Sequence, residues 1–466
     1  MEISVGFYGG AQGVTGSCFL LNIRDTQILV DCGLFQGLES EKNYSGFLFD
    51  PKKISYLILT HAHIDHCGRL PLLVKEGFKG KIICTKPTSQ IAKIMLLDAA
   101  KVMKEHYKTL YKKSIRKGLN PPPPPLYEEY DVIESFNYFK IFVPYDTPLL
   151  LKDDIKITFK DAGHILGSVF VEIEDLKTHQ KITFSGDLGN KNKPIVRDFT
   201  YPSQTDFLFI ETTYADRNHK SFEESKQEFL QAILETFEKG GNVLIPTFAL
   251  ERAQELLYVL REFYEEGKLP HCQVFLDSPL AIKATKIFRD NPEFFDEEEA
   301  LNLLTQKDPF DFPYLVLTEE IEESKAINNI KSKAIIIAGN GTLTGGRILH
   351  HLKYNLWREE CSLVFVGFQP KGTLGRNIVD GAEKVHLFGE EIPVKANIYT
   401  INGFSSHAGQ NELIDWISKF ERVKKLFLVH GEPEKMEIFK NLLLEKFKDK
   451  FEEIQIPPFG KIVQIS

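Results

Sequence analysis

The sequence predicts an α/β protein whose chain carries a second, parallel-sheet region as an insertion. Three observations lead there. The apolar, β-branched run Ile54-Ser55-Tyr56-Leu57-Ile58-Leu59-Thr60 reads as a buried strand, and it delivers His61-Ala62-His63-Ile64-Asp65-His66 where the chain leaves a sheet. Further strand-like runs end in Asp31, Asp187, Glu211 and His430, so one sheet edge is expected to be lined with chemistry. From about residue 212 four strand-then-helix units follow in succession, the pattern of a parallel sheet with helices on its faces.

Bulk properties narrow the class. At 466 residues the chain has room for two or three domains, and a hydrophobic content of 42% can build sizeable cores. A net charge of −8 argues against a protein that coats nucleic acid through bulk charge, while leaving a local basic groove open. Cys18, Cys32, Cys67, Cys84, Cys272 and Cys361 form no Cys-x-x-Cys pair. With no signal peptide they read as reduced thiols in a cytoplasmic protein. No run of about 18 apolar residues occurs, so no membrane span is expected.

Residues 2–31 alternate like hairpin strands, with turns at Gly9-Gly10 and Asp25. After His66 a helix is expected over about 69–76, then a short strand over 81–85. The next helix begins near residue 88 and carries seven basic residues against one acid between Lys101 and Lys117. It stops before Pro121–Pro125, a polyproline-like segment. That basic stretch reads equally as a solvated helix face or as a phosphate-binding arm. Strands are expected over 149–159, 181–185 and 206–211, with His164 among small residues between the first two.

The four strand-helix units follow, with strands over 242–246, 273–277, 334–338 and 362–366. The glycine-rich turns Gly339–Gly346 and Gly372–Gly375 match neither a Walker motif nor a dinucleotide fingerprint. They read as phosphate-binding backbone or, equally, as tight packing turns. Residues 290–326 are acidic and helical in outline, a surface insertion by expectation. The end returns to the earlier style. His407 precedes an amphipathic helix over 410–419, His430 closes a strand over 425–429, and a last helix spans about 435–448.

Three of the 13 histidines fall in one hexapeptide, too dense for a chance polar turn. Neutral imidazole and carboxylate are the ligands that Zn²⁺ prefers. In an extended or turning segment His61 and His63 can point one way while Asp65 and His66 reach a second point, so one loop can serve two metals. His164 is a candidate for a site still short of ligands. Asp187 has two oxygens with which to bridge two ions, and Asp31 can hold a ligand in place. Cys67, beside His66, reads as a packing residue.

Taken in order, His61-x-His63-x-Asp65-His66, His164, Asp187 and His430 resemble the motifs of the metallo-β-lactamase fold of dinuclear zinc hydrolases. Glu211, the inserted α/β region, Phe404-Ser405-Ser406-His407 and Val429-His430-Gly431-Glu432 resemble its β-CASP subgroup. That subgroup includes the cleavage and polyadenylation nuclease, its prokaryotic relatives and ribonuclease J. The resemblance covers nearly the whole chain. It implies an αββα sandwich built from residues 1–211 and 396–466, interrupted by a β-CASP domain over 212–395. It further implies two Zn²⁺ ions, one on His61, His63 and His164, the other on Asp65, His66 and His430, with Asp187 bridging.

In the same resemblance Asp31 orients ligands, Glu211 and His407 pair beside the leaving oxygen, and Ser405 contacts the scissile phosphate. The activity implied is hydrolysis of single-stranded RNA in processing or decay, mainly endonucleolytic, leaving a 3′-hydroxyl and a 5′-phosphate. Histidine at position 430, where DNA-acting relatives carry an apolar residue, favours RNA. No tail after Ser466 is long enough for the extra domain of ribonuclease J, which weighs against a processive 5′-exonuclease. Arg252, Arg347, Lys371 and Arg376 are phosphate contacts by position alone, with surface solvation the competing reading. A homodimer through the C-terminal helix is allowed but not required.

Three rivals compete with this reading. A small-ester, thioester or lactam hydrolase would not need an inserted domain of about 180 residues. A DNA nuclease of the same fold is disfavoured by His430. A non-catalytic scaffold would have lost ligands, and all seven are present.

Overall fold

The computed structural model describes residues 3–152, 154–305 and 307–465; Glu2 of the first expected strand, Gln306 of the acidic stretch and Ser466 lie outside the described residues. The chain forms two compact units. One comprises Met1–Lys191, Asp198–Asn218 and His407–Ser466, the other Asn192–Arg197 and His219–Ser406.

The first unit is built on two seven-stranded sheets. The first runs in the order Ile462–Gln464, Ile3–Phe7, Phe19–Ile23, Thr26–Val30, Tyr56–Ile58, Lys81–Cys84 and Phe139–Phe142. The second runs Phe451–Gln455, Val423–Val429, Phe207–Glu211, Gln180–Phe184, Val169–Asp175, Ile155–Asp161 and Leu149–Leu151. In each sheet one end is antiparallel and the other parallel.

Side chains alternate across a strand, and the inward set of both sheets shares one core. Val5, Phe7, Leu21, Ile28 and Ile58 meet Ile157, Phe159, Val171, Phe184, Phe209 and Phe427 there. Phe209 stacks on Phe184 at 4.3 Å and on Phe427 at 4.6 Å. The alternate residues Leu208, Ile210, Leu426 and Leu428 face outward and are covered by Trp416, Ile417, Met436 and Phe439 of helices Gln410–Ser418 and Pro433–Lys446. Strands covered on both faces read as continuous apolar runs, which is why these strands were legible. On the first sheet Leu57 and Ile82 point away from the shared core, and Leu70, Leu73, Ile91 and Leu96 of helices Leu70–Lys75 and Lys86–Arg116 are buried with them. The result is the expected αββα sandwich.

The expected strand over 149–159 is in fact two strands, Leu149–Leu151 and Ile155–Asp161, paired antiparallel. The reversal takes place where Lys152 adopts φ +46°. Arg24 braces it by bonding Asp154 at 2.8 Å and Asp175 at 2.7 Å.

The second unit holds a six-stranded, wholly parallel sheet in the order Leu315–Leu317, Gln273–Asp277, Ala334–Ala338, Val243–Pro246, Ser362–Phe365 and Asn397–Thr400. Its four central strands are those anticipated. The acidic stretch is not a surface insertion. It contributes the edge strand Leu315–Leu317, and its Phe294, Phe295, Phe310 and Phe312 are buried. Among the described residues no helix is long and apolar enough to cross a membrane.

The chain leaves the first unit briefly over Asn192–Arg197 and then for a long excursion that starts after Asn218 and ends at His407. Within that unit the two crossings are joined. Gln410 donates from its backbone to Arg217 O at 2.9 Å and from Nε2 to Ala215 O at 2.7 Å, and Asn411 N donates to Asn218 Oδ1 at 2.9 Å.

Candidate metal centre

The first unit brings Asp31, His61, His63, Asp65, His66, His164, Asp187, Glu211, His407 and His430 to the ends of its strands. The histidine loop is not wholly extended. Ile64–Cys67 forms one helical turn, so Asp65 and His66 leave the direction taken by His61 and His63.

Asp31 organises this loop from beneath. Its Oδ1 accepts from Thr60 N at 2.8 Å, and its Oδ2 accepts from Thr60 Oγ1 at 2.8 Å and from His66 Nδ1 at 2.7 Å. With the Thr60 hydroxyl proton committed to Asp31, His61 Nδ1, 3.1 Å from that oxygen, must be the donor. His61 and His66 therefore both hold a proton on Nδ1 and turn Nε2 to the centre. Asp31 sits at φ +59° and His430 at φ +50°, a left-handed conformation that Asp and His tolerate better than most residues. At Gly33 a Cβ would lie 1.5 Å from Asp65 O, so only glycine lets the two segments approach.

The donor atoms of His61, His63, His164 and Asp187 lie within 4.8 Å of one another, as do those of Asp65, His66 and His430. In the first group His61 Nε2 is 3.1 Å and His164 Nε2 3.2 Å from His63 Nδ1, and Asp187 Oδ2 is 3.5 Å from His61 and 3.7 Å from His164. In the second, His66 Nε2 is 3.2 Å from His430 Nε2 and 3.7 Å from Asp65 Oδ2, and His430 Nε2 is 3.3 Å from Asp65 Oδ2. Asp187 Oδ2 is also 3.2 Å from His66 Nε2, so this carboxylate touches both groups. A tetrahedral ion with bonds of about 2.0–2.1 Å needs donors roughly 3.4 Å apart. These spacings fit. Facing imidazole lone pairs at such distances repel unless a cation lies between them, and Asp187 Oδ1 is buried with no hydrogen-bond partner.

Electrostatics divide the groups. Burial holds His61 and His164 well below the usual imidazole range, aided by His66 at the first and His407 at the second. Burial lowers His63 to about 4. These three are neutral at pH 7, the form that binds metal. At His66 and His430 burial acts the same way and is the largest single influence, but Asp187 and Asp65, joined at His66 by Asp31, together outweigh it and raise both. Burial opposes ionisation of Asp65 and Asp187, yet the imidazoles beside them hold both carboxyls below the usual range. Burial pushes the Cys67 thiol well up, and its Sγ donates to Ala62 O, consistent with packing rather than ligation.

Beside the donors stands an acid-histidine pair. Glu211, fully buried at the end of its strand, accepts from Leu188 N at 3.0 Å and Thr213 N at 3.1 Å. Its Oε1 is 3.5 Å from His407 Nδ1, which is 3.9 Å from Asp187 Oδ2. His407 is carried by a bridge to Gly189 and by Ala408 N donating to Leu188 O at 2.8 Å. Its side chain remains 21% exposed, so this histidine is open to solvent while its carboxylate partner is not.

Sequence reasoning missed Thr60 and Thr213. Thr213 Oγ1 lies 3.1 Å from His430 Nδ1, as Thr60 Oγ1 does from His61. The available signal was position: Thr60 directly precedes His61, and Thr213 follows Glu211 by two residues. Ser405 lies two residues before His407, in the second unit. The four basic residues lie in that unit too. Arg376 pairs with Asp380 at 2.8 Å, Arg252 approaches Glu255 at 3.6 Å, and Lys371 is exposed in a loop. Arg347 donates to the buried Asp277 at 2.7 Å and to the carbonyls of Thr318 and Glu319. Asp277 also accepts from Thr318, Ser324 and His351, and its carboxyl is held at about 2, these bonds overcoming burial. Arg347→Ala is therefore expected to destabilise the protein by about 2–4 kcal/mol, read by urea unfolding, because it strips one partner from a buried charge.

Comparison with known proteins bears on this centre. A profile of the metallo-beta-lactamase superfamily matches residues 11–247, one of the Beta-Casp domain residues 253–378, and one of a Zn-dependent metallo-hydrolase RNA specificity domain residues 391–457. The chain is 40% identical over 459 residues to Ribonuclease TTHA0252 of Thermus thermophilus, covering 98% of this chain and 99% of that protein. It is 30% identical to the Transcription termination factor FttA of Methanocaldococcus jannaschii, covering 96% of this chain and 69% of that protein. An RNase J-like protein of the same archaeon is 29% identical, over 91% of this chain and 92% of its own length. Among solved structures, a protein of unknown function from Enterococcus faecalis V583 shares the fold with a TM-score of 0.58 at 14% identity, covering 100% of both chains.

Proposed function

Because the chain belongs to the metallo-β-lactamase superfamily, in its β-CASP branch, we propose that it is a dinuclear zinc ribonuclease that hydrolyses single-stranded RNA, mainly at internal phosphodiesters. One observation carries the reading: two donor groups meet at Asp187, and the Glu211–His407 pair stands beside that carboxylate. The 40% identity to a ribonuclease over essentially the full length of both chains supports RNA as the polymer.

His61, His63 and His164 would hold one ion, Asp65, His66 and His430 the other, with Asp187 serving both. Zinc held there supplies Lewis acidity, neutralising charge on the phosphodiester and making a water acidic enough to attack near neutral pH. The protein's own groups do the rest. Asp31 and Thr60 keep the protons of His66 and His61 on Nδ1, so neither ring turns. Glu211, its Oε1 3.5 Å from His407 Nδ1, faces and orients the imidazole, whose Nε2 protonates the departing 3′-oxygen as general acid. Loss of the 3′-oxygen leaves a 3′-hydroxyl and a 5′-phosphate.

The test is a single-stranded RNA labelled at its centre, beside a DNA of the same sequence, in added Zn²⁺. Internal cuts in RNA alone, lost on chelation, are expected. Trimming from one end would replace the internal mode by an exonuclease. No cleavage of either polymer by protein carrying two zinc ions would overturn the ribonuclease reading and bring forward a small-ester hydrolase.

A further inference from the structure

The basic helix that follows the histidine loop has no part in the centre described above. Helix Lys86–Arg116 has 31 residues, about 46 Å at 1.5 Å per residue. Its base is fixed to the loop that carries His164: Thr85 Oγ1 and Thr88 Oγ1 donate to Gly167 O at 2.8 and 3.1 Å. Ile91, Ala92, Leu96 and Ala100 are buried, but from Lys101 onward no residue of the helix is buried.

The unburied part is basic. Residues 101–117 hold seven cations and one acid, a net +6 in a chain of net −8, so the rest of the molecule carries −14. Lys101, Lys104, Lys108, Lys112 and Arg116 recur every three or four residues and therefore share one face. Four-residue steps place cations about 6 Å apart along the axis, close to the separation of successive phosphates in a single strand. Tyr107 and Tyr111, with ring centroids 5.8 Å apart, border the stripe. Lys108 pairs with Glu105 at 2.9 Å and Lys104 approaches Glu129 at 3.9 Å. Among the described residues Lys101, Lys112, Lys113, Arg116 and Lys117 have no ion-pair partner. Cations offset the helix dipole only in the last turn, so Lys101, Lys104 and Lys108 do not serve that end.

We propose that this arm binds the phosphate backbone of single-stranded RNA, with Tyr107 and Tyr111 offering stacking faces to its bases. The proposal rests on the ribonuclease reading above and names how a long substrate is held. The cations begin about 22 Å along the helix from the His164 loop. They therefore add affinity for long RNA and leave the chemistry on a short one unchanged.

The test is the full chain with K104Q, K108Q, K112Q, K113Q and R116Q together, checked for retained helicity by circular dichroism. Binding to a 40-nucleotide and an 8-nucleotide single-stranded RNA is read by fluorescence anisotropy from 50 to 200 mM salt, in zinc-loaded protein also carrying His407→Ala. Each phosphate contact contributes about −0.7 to the slope of log affinity against log salt, so loss of five would flatten the slope by about 3.5 and weaken the 40-mer at least tenfold. The 8-mer is expected to bind as before, and the same five positions all as arginine to bind the 40-mer like the parent. Unchanged 40-mer affinity and slope would overturn the proposal and assign the arm to some other partner. Cleavage assays on the protein with His407 intact separate the two readings. A parent that binds the 40-mer through the arm but cuts nothing sinks only the ribonuclease, whereas a variant that cuts and binds the 40-mer like the parent sinks only the arm.

Discussion

Asp187→Ala protein cuts single-stranded RNA more than a thousandfold more slowly, a loss on the order seen when a group central to a catalytic unit is removed, and holds less than two equivalents of zinc. The expectation follows from one side chain doing two jobs. Its Oδ2 lies 3.2 Å from His66 and 3.5 Å from His61, one histidine of each donor group, while its Oδ1 is buried with no hydrogen-bond partner. It is also the carboxylate that most strongly raises His66 and His430. Without it, both groups lose an oxygen donor, and the buried imidazoles lose the charge that balances them. Elemental analysis of the purified variant beside its cleavage rate checks both halves. Full zinc content with normal cleavage would remove Asp187 from the centre.

His407→Ala is expected to separate the two effects. The turnover rate falls about 10²- to 10⁴-fold, the usual weight of a general acid, while zinc content stays at the parent level. The geometry motivates the difference: His407 faces Glu211 at 3.5 Å and lies outside both groups of donors that close on one point. The loss should shrink for an RNA whose scissile linkage has a better leaving group than a 3′-alkoxide, since that group needs less protonation. An equal loss on both substrates would make His407 a structural residue. Loss of zinc would make it a ligand.

The gathering of the site was legible because its parts are local. Glu211 ends its strand, His430 follows its strand at once, and His61 and Asp187 follow theirs after two intervening residues, and the two sheets of one sandwich bring those ends together. The central strands were legible for a related reason: covered on both faces, runs such as Phe207–Glu211 and Ala334–Ala338 carry no polar interruption. Val169–Asp175, a central strand whose apolar run is broken by Glu172, Glu174 and Asp175, escaped notice; so did Leu315–Leu317, Asn397–Thr400, Phe451–Gln455 and Ile462–Gln464, which lie at sheet edges, short and partly exposed. Little apolar pattern is written there because little is buried. Thr60 and Thr213 were missed because a hydroxyl beside a histidine has no periodicity, and their role shows only once Asp31 and His430 are placed. Arg347 shows what position alone leaves out: the guanidinium offered as a phosphate contact also bonds Asp277 within its own unit.

The joined crossings at Asn218 and His407 give the chain a particular history and a particular freedom. Topologically, the 188 residues between them are one loop with a closed neck, tied by Arg217, Gln410 and Asn411. The entropy of closing a flexible loop grows only with the logarithm of its length, about 0.6 kcal/mol for each doubling, and a loop that folds on itself need not incur even that. Closing this neck therefore costs nearly the same however much chain is spliced in there. A lineage can lengthen, shorten or exchange the spliced segment while the strands on either side keep their register, so the segment can diversify as a cassette around an unchanged centre.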